Sequence, residues 1–386
     1  MIHSFYAQKT HDLKLSNLYR TRMEIEPIAG NLIRHQGQDY LNFSSNDYLG
    51  LRQHPALIQQ SIEFIKRYGN GSGASSLVTG YLDSMQSIEI KMSALKGFEA
   101  CLLMNSGYQA NLSVLPALFD KKILGSKPLV LADKLSHAST IRGCLAAQDD
   151  IDFYRFTHND MDHLSRLIEK HHKGQALFIL SESVFSMDGH IAPLDDLYKI
   201  RDIYGGFLII DEAHATGIMG SRGQGLAQKA DLIIGTFGKA MGSFGAYVAC
   251  THIVRDYLIN VCAGLIYSTA LPPATLGAID AAIDLMPSLS QQRTYTKDLS
   301  EFMRKALYDL GYDTGGSQSQ IIPLIIGDEE KAVRLSQYLR EQGFWINAIR
   351  PPTVPSGTAR LRLIINAAHT QEDCEKLLEV LKHVTC

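Results

Sequence analysis

Six short apolar runs constrain the fold of this chain more than any other feature: "ACLLMN", "PLVLAD", "ALFILSE", "FLIIDEA", "DLIIGTF" and "AYVAC", between residues 100 and 250. Each run is continuous rather than alternating, which means burial on both faces, and helix-length segments separate them. A chain with this pattern builds an α/β domain, a parallel or mixed sheet covered by helices. Its 386 residues exceed the roughly 250–300 over which a single core keeps growing, so a large domain with a smaller companion is expected. After Pro287 the pattern changes to mixed helices and strands: "KDLSEFMRKALYDLG", "SQIIPLIIG", "EEKAVRLSQYLREQG", "FWINAIR", "ARLRLIIN" and "QEDCEKLLEVLKHV". The expected division is an N-terminal arm over 1–40, a large α/β domain over 41–287 and a small α+β domain over 288–386. Within it, residues 12–26 read as a polar helical arm. "SMQSIEIKMSALKGF" sets Met85, Ile88, Met92 and Leu95 on one helical face. Thr370 and Asp373 have capping-box spacing ahead of the last helix.

Charge and cysteine usage remove several function classes. The chain carries 37 basic and 40 acidic residues, a formal charge of −3, without a basic block interleaved with aromatics, which argues against a nucleic-acid partner. The first thirty residues hold no apolar signal core, and no window approaches 18 uninterrupted apolar residues, so a cytoplasmic chain with no membrane partner is expected. Cys101, Cys144, Cys250, Cys262, Cys374 and Cys386 form no C-x-x-C pair, so they read as packing residues or free thiols, with no metal site. The adjacent histidines of "KHHKG" point different ways on a helix and read as a solvated turn. "GSRGQG" (220–225) reads as a flexible loop without assigned chemistry.

Ligands of open α/β sheets collect beyond the carboxyl ends of the strands. There the sequence places Asp211 and His214 in "FLIIDEAHATG", Glu182 and Ser186 in "ALFILSESVFSMDG", and Thr236 and Lys239 in "DLIIGTFGKAMG". It adds Ser106, Gly107 and Tyr108 before an expected helix, and His137 in "LADKLSHAS". Pyridoxal phosphate needs such a set: an amine for an imine, a carboxylate to keep its ring nitrogen protonated, a flat group over the ring, and a helix N-terminus with hydroxyls for its phosphate. Lys239 fits the amine, Asp211 the carboxylate, His137 the flat group, and the Ser106–Gly107–Tyr108 turn with Thr236 the phosphate side. The glycines around Lys239 would let backbone and cofactor approach closely. Taken singly, each residue has an ordinary structural reading; the constellation carries the argument. "GTFGKA" is a poor P-loop, because alanine follows the lysine where a magnesium-binding hydroxyl belongs.

"LNFSSNDYLGL", "GSGASSLVTGY", "LSHAS", "SVFSMDG", "DEAHATG", "TFGKAMG", "IYSTALPP" and "IRPPTVPSGTARLRL" occur in order between residues 41 and 363, within a resemblance that runs from about residue 20 to the C-terminus. Through them the chain resembles the α-oxoamine synthases, pyridoxal-phosphate enzymes of fold type I. The resemblance implies an aspartate aminotransferase-like transferase fold, with a mostly parallel sheet in the large domain and a small α+β C-terminal domain. It also implies a homodimer with the cofactor site at the interface. In this reading Lys239 holds the cofactor as an imine and then acts as base, Asp211 pairs with the ring nitrogen and His137 stacks on the ring. Ser186 and His214 reach the phenolic oxygen, and Glu182 belongs to the cofactor site. Gly107, Tyr108 and Thr236 serve the phosphate, while Ser268 and Thr269 reach the phosphate of the neighbouring protomer. On the substrate side the resemblance implies Arg362 for the amino-acid carboxylate, with Asn46 and His137, and Thr353 and Arg20 for the acyl group, Arg22 being a rival to Arg20. "IRPPTVPSGTARLRL" favours the biotin-pathway acyltransferase chemistry, condensing L-alanine with a pimeloyl thioester of CoA or acyl carrier protein. A sibling synthase using glycine or making an amino-ketone signal, an aminotransferase, and a silent cofactor-binding module remain alternatives. Ala215, where the family often has glycine, and "AMGSFG" depart from the pattern and are expected to alter packing only.

Overall fold

The computed structural model describes residues 2–16 and 18–384, so Cys386 lies outside the described residues. The chain separates into two compact units. One comprises Asp47–Ser186 and Ile191–Thr294, the other Met1–Asn46, Met187–His190 and Tyr295–Cys386.

The larger unit is built on a seven-stranded sheet: β1 (Ala100–Met104), β2 (Leu129–Asp133), β3 (Asp152–Phe156), β4 (Leu177–Glu182), β5 (Phe207–Asp211), β6 (Leu232–Thr236) and β7 (Ala246–Cys250). The order is β1-β7-β6-β5-β4-β2-β3, with β7 antiparallel to both neighbours and the other pairings parallel. All six apolar runs are strands of this sheet, and β1, β2, β4 and β7 are buried at every residue. Only β3 ("DFYRF") escapes the apolar criterion, because it is the edge strand and exposes Asp152, Tyr154 and Arg155. Register brings the carboxyl ends to one side: Ala246 pairs with both Thr236 and Met104, and Glu182 pairs with Asp211. Two helices start at this side, α1 (Gly107–Leu118) after β1 and α2 (Ala138–Ala146) after β2. Leu102, Val114, Leu115, Val130, Leu180, Ile209, Ile234 and Val248 belong to the core that joins sheet and helices. The helix Asp83–Lys96 buries Met85, Ile88, Met92 and Leu95, the expected face.

The smaller unit contains a three-stranded antiparallel sheet, β8 (Ile321–Gly327), β9 (Ala348–Ile349) and β10 (Ala359–Ile364), in the order β8-β10-β9. A second sheet joins Glu26–Pro27, Leu32–His35, Gln38–Asn42 and Phe344–Trp345. One core unites Phe43, Leu299, Met303, Ile322, Leu361, Leu363 and Leu377. The last helix, α3 (Gln371–Lys382), has the expected capping box: the Thr370 hydroxyl accepts from the Asp373 N–H, and the Asp373 carboxylate accepts from the Thr370 N–H.

The N-terminal arm departs from expectation. The helix covers Ile2–Leu15 rather than 12–26, and its last turn closes with Leu18 and Tyr19 N–H on the Leu13 carbonyl. Tyr19, Thr21 and Ile25 are poor helix formers without a packed face to hold them, and Pro27 disfavours helical geometry just before it. Cys101, Cys144, Cys250, Cys262 and Cys374 are buried free thiols.

Candidate active site

Lys239 follows β6 in a tight turn, in which Gly242 N–H donates to the Lys239 carbonyl at 2.9 Å. Gly242 has φ +63°, and a Cβ there would meet the Leu51 backbone at 2.5 Å. This glycine therefore closes the turn against Leu51, a packing reason for one of the glycines around Lys239. The Lys239 Nζ lies 2.8 Å from Nε2 of buried His214, whose Nδ1 is 2.6 Å from the hydroxyl of Tyr48. Tyr48, fully buried, lies in "LNFSSNDYLGL" without an assigned role from sequence, where only a tyrosine in a turn-rich stretch is visible.

Groups at three further strand ends belong to the same side of the sheet. Asp211 closes β5, and its two oxygens accept from Ala213 N–H at 2.9 Å and Asn111 Nδ2 at 3.0 Å. Opposite it in register, Glu182 closes β4, is buried and accepts the His137 N–H. Burial first, then the negative charge of Asp211, pushes the Glu182 carboxyl well above its ordinary range, opposed by Lys239. His137 caps α2, its Nδ1 accepting from the Ser139 N–H at 3.2 Å. Burial holds its pKa below the ordinary histidine value against the pull of Asp211, with Lys239 adding to the lowering. The imidazole is therefore neutral at pH 7. Ser186 is buried in the loop after β4.

On the α1 side, Ser106 caps the helix through Gln109 N–H, Tyr108 is half exposed, and a Cβ at Gly107 would stand 3.9 Å from that of Thr236. The Thr236 hydroxyl donates to the Gly245 carbonyl and accepts from Gly238 N–H. Ser268 and Thr269 are tied to the same helix start: Gln109 Nε2 donates to Ser268 Oγ at 2.6 Å, and Asn105 Nδ2 to the Thr269 carbonyl at 2.8 Å.

The remaining sequence-derived residues belong to the smaller unit. Arg362, buried on β10, donates from Nη1 to Asn46 Oδ1 at 3.1 Å. Arg20 donates from Nη2 to Thr353 Oγ1 at 3.3 Å and to the Pro351 carbonyl at 3.5 Å. The structure thus brings Arg362 to Asn46 and Arg20 to Thr353.

Sequence reading missed a buried ion pair at the residue that follows Asp211. Lys96 and Glu212 are fully buried and paired; Lys96 also donates to the Gln224 carbonyl. Glu212 Oε1 accepts from Leu226 N–H at 2.6 Å and Ala227 N–H at 2.8 Å. "GSRGQG" is therefore anchored to a buried ion pair rather than being a flexible loop. A Cβ at Gly225, φ +88°, would meet Glu212 Oε2 at 2.1 Å. The signal was "DEAH" itself, where the second carboxylate sits next to the one already chosen.

The donor set fits pyridoxal phosphate in kind: one amine, one carboxylate held by two N–H donors, a neutral imidazole, and a helix N-terminus with nearby hydroxyls. Among the described residues no group of three or more His, Cys, Asp and Glu could hold a metal ion. No helix among them is long and apolar enough to cross a membrane.

Comparison with known proteins agrees with this chemistry. The model of the aminotransferase class I and II family matches residues 38–381. The 8-amino-7-oxononanoate synthase of Gluconacetobacter diazotrophicus is 45% identical over 384 residues, covering 98% of this chain and 96% of its own. A single-residue variant of the serine palmitoyltransferase of S. paucimobilis, solved with bound PLP-myriocin, superposes with a TM-score of 0.90 at 25% identity, over 98% of this chain and 96% of that one. The crystal structure of 8-amino-7-oxononanoate synthase from Francisella tularensis superposes with a TM-score of 0.75 at 27% identity, over 89% of this chain and 97% of that one. The chain belongs to the class I and II aminotransferase family, and within it to the pyridoxal-phosphate-dependent 8-amino-7-oxononanoate synthases.

Proposed function

We propose that the chain condenses L-alanine with a pimeloyl thioester, giving 8-amino-7-oxononanoate, carbon dioxide and free thiol, a step of biotin biosynthesis. The observation that carries this reading is the Lys239 amine 2.8 Å from His214 at the carboxyl end of a sheet, where the neighbouring strand ends in the Asp211 carboxylate. Bound pyridoxal phosphate supplies a carbonyl carbon for the amine of lysine or substrate and a protonated ring that accepts electrons from the substrate Cα. Lys239 holds the cofactor and, once released, takes the Cα proton of alanine at Nζ. The Asp211 carboxylate keeps the proton on the ring nitrogen. His137 covers the ring, and Ser186 and His214 serve its phenolic oxygen, with Glu182 closing that side. Gly107, Tyr108 and Thr236 hold the phosphate, with Ser268 and Thr269 serving the neighbouring copy in a homodimer. Arg362 receives the alanine carboxylate through a two-pronged contact, with Asn46 orienting the guanidinium. Arg20 and Thr353 serve the acyl group, joined by their hydrogen bond. We place the enzyme in the cytoplasm.

The test is an absorbance titration of the purified protein with L-alanine, glycine and L-serine, followed by pimeloyl-CoA with a thiol-release readout. An alanine-selective spectral change followed by thiol release is expected. A glycine- or serine-selective response, or a response with no thiol release from either a CoA or a carrier-protein thioester, would overturn the substrate assignment and leave the cofactor site standing.

A further inference from the structure

Behind His137 and Asp211 lies a chain of hydrogen bonds whose donor directions are fixed from both ends. At one end Asp211 Oδ2 receives Asn111 Nδ2 at 3.0 Å, and the same nitrogen lies 3.0 Å from Ser139 Oγ. The two amide hydrogens are thereby divided between a carboxylate and a hydroxyl oxygen. Reversing the amide would set its carbonyl against the carboxylate, so Asp211 fixes the orientation of Asn111. At the other end His137 Nδ1 faces the backbone N–H of Ser139 at 3.2 Å and its Oγ at 2.7 Å. A backbone N–H pointing at Nδ1 requires a lone pair there, so Ser139 Oγ–H donates to Nδ1 while its oxygen accepts from Asn111. Asn111 and Ser139 are both almost fully buried, so solvent does not compete for these groups.

We propose that Asn111 and Ser139 are positioning residues that fix the tautomer of His137 from the Asp211 carboxylate, keeping Nδ1 an acceptor and the proton on Nε2. The outer nitrogen of His137 is then a hydrogen-bond donor, suited to a carboxylate or carbonyl oxygen of a bound molecule and unable to act as a base. Around the ring the charged or titratable groups are Asp211, Lys239 and Glu182, the last bonded to the His137 backbone N–H. The neutral form that the relay requires is the one favoured by the partial burial of the ring. The inference rests on the reading of His137 as a site residue, but not on which thioester is used.

The tautomer can be read directly by 15N NMR of the full-length protein labelled at histidine, with and without pyridoxal phosphate. The His137 resonances are assigned as those lost in His137→Gln. In the unsubstituted protein at pH 8 we expect a protonated Nε2 and an unprotonated Nδ1 in both samples; a proton on Nδ1 would overturn the proposal whatever the variants do. Ser139→Ala is expected to raise the share of the Nδ1-protonated form about five- to ten-fold, the weight of one hydrogen bond. Ser139→Thr, which keeps the hydroxyl, is expected to restore the original ratio. An unchanged ratio in Ser139→Ala would overturn the role of the hydroxyl. Asn111→Leu is expected to shift the ratio in the same direction, and a shift in Ser139→Ala without one in Asn111→Leu would break the link to Asp211. A proton on Nδ1 in an unsubstituted protein with normal alanine-dependent thiol release would remove the relay and leave the synthase reading in place.

Discussion

In the larger unit the candidate catalytic groups sit at or beyond strand ends: Asp211 closes β5, Glu182 closes β4 and Lys239 lies past β6. In the smaller unit Arg360 and Arg362 leave the middle of β10, alternating with Leu361 and Leu363, which enter the core. The reason is coverage. A mostly parallel sheet packed on both faces offers no mid-strand position to a charge, whereas an antiparallel sheet with one core face can carry charge at every second residue. Arg360 pairs with Asp188 and Arg362 with Asn46, so each guanidinium has a partner from outside the strand. Lys96 and Glu212 are the exception in the larger unit, a charge pair inside the core. Backbone donors and an acceptor complete it there.

Groups at strand ends should be separable from stability, and groups inside should not be. Lys239→Ala tests the first half most severely: turnover is expected to fall more than about 10⁴-fold, with loss of the cofactor absorption band, while the melting temperature moves by only a few degrees. A large loss of stability would break the comparison. Lys96→Met tests the second half. It leaves Glu212 buried without its cation and should cost about 3–5 kcal/mol in urea unfolding, of which Lys96→Met combined with Glu212→Gln recovers a part. A neutral Lys96→Met would contradict the buried-pair reading.

In the smaller unit, His369 stacks on Phe43, with ring centroids 4.2 Å apart, and burial lowers its pKa from 6.5 to about 4. The unfolded chain takes up this proton first, so stability present above pH 6.5 is lost progressively as the pH falls toward 4. The loss reaches about 3 kcal/mol for this one group. His369→Gln, less stable at pH 7, should lack this component of the slope; equal slopes would remove the assignment. Arg362→Lys keeps the charge but loses the planar fork, so the KM for alanine should rise about ten-fold with a smaller change in kcat. The smallest effect is that of Thr370→Ala, which opens the α3 capping box and should cost about 1 kcal/mol without touching catalysis.

Much of the fold was legible because burial on both faces leaves a strong linear signature. The six apolar runs and the capping box of α3 needed no partner information. The exposed edge strand β3 and the N-terminal arm were not legible, since solvent-facing segments carry no such signature. The chemistry at the strand ends was visible as residue types in the right places. The residues behind it were not: Tyr48 lies 166 positions before His214, and Asn111 lies 100 before Asp211.

The sequence by itself determined the class of sheet, its strand ends and the set of reactive groups they carry. Periodicity and strand-end position are local properties of the chain. Only the tertiary structure decided the partners: that Tyr48 completes the Lys239–His214 line, that Lys96 neutralises Glu212, and that Asn111 and Ser139 join Asp211 to His137. Hydrogen bonds are directional and act within about 3 Å, so they depend on how distant segments meet in three dimensions, which no local pattern encodes.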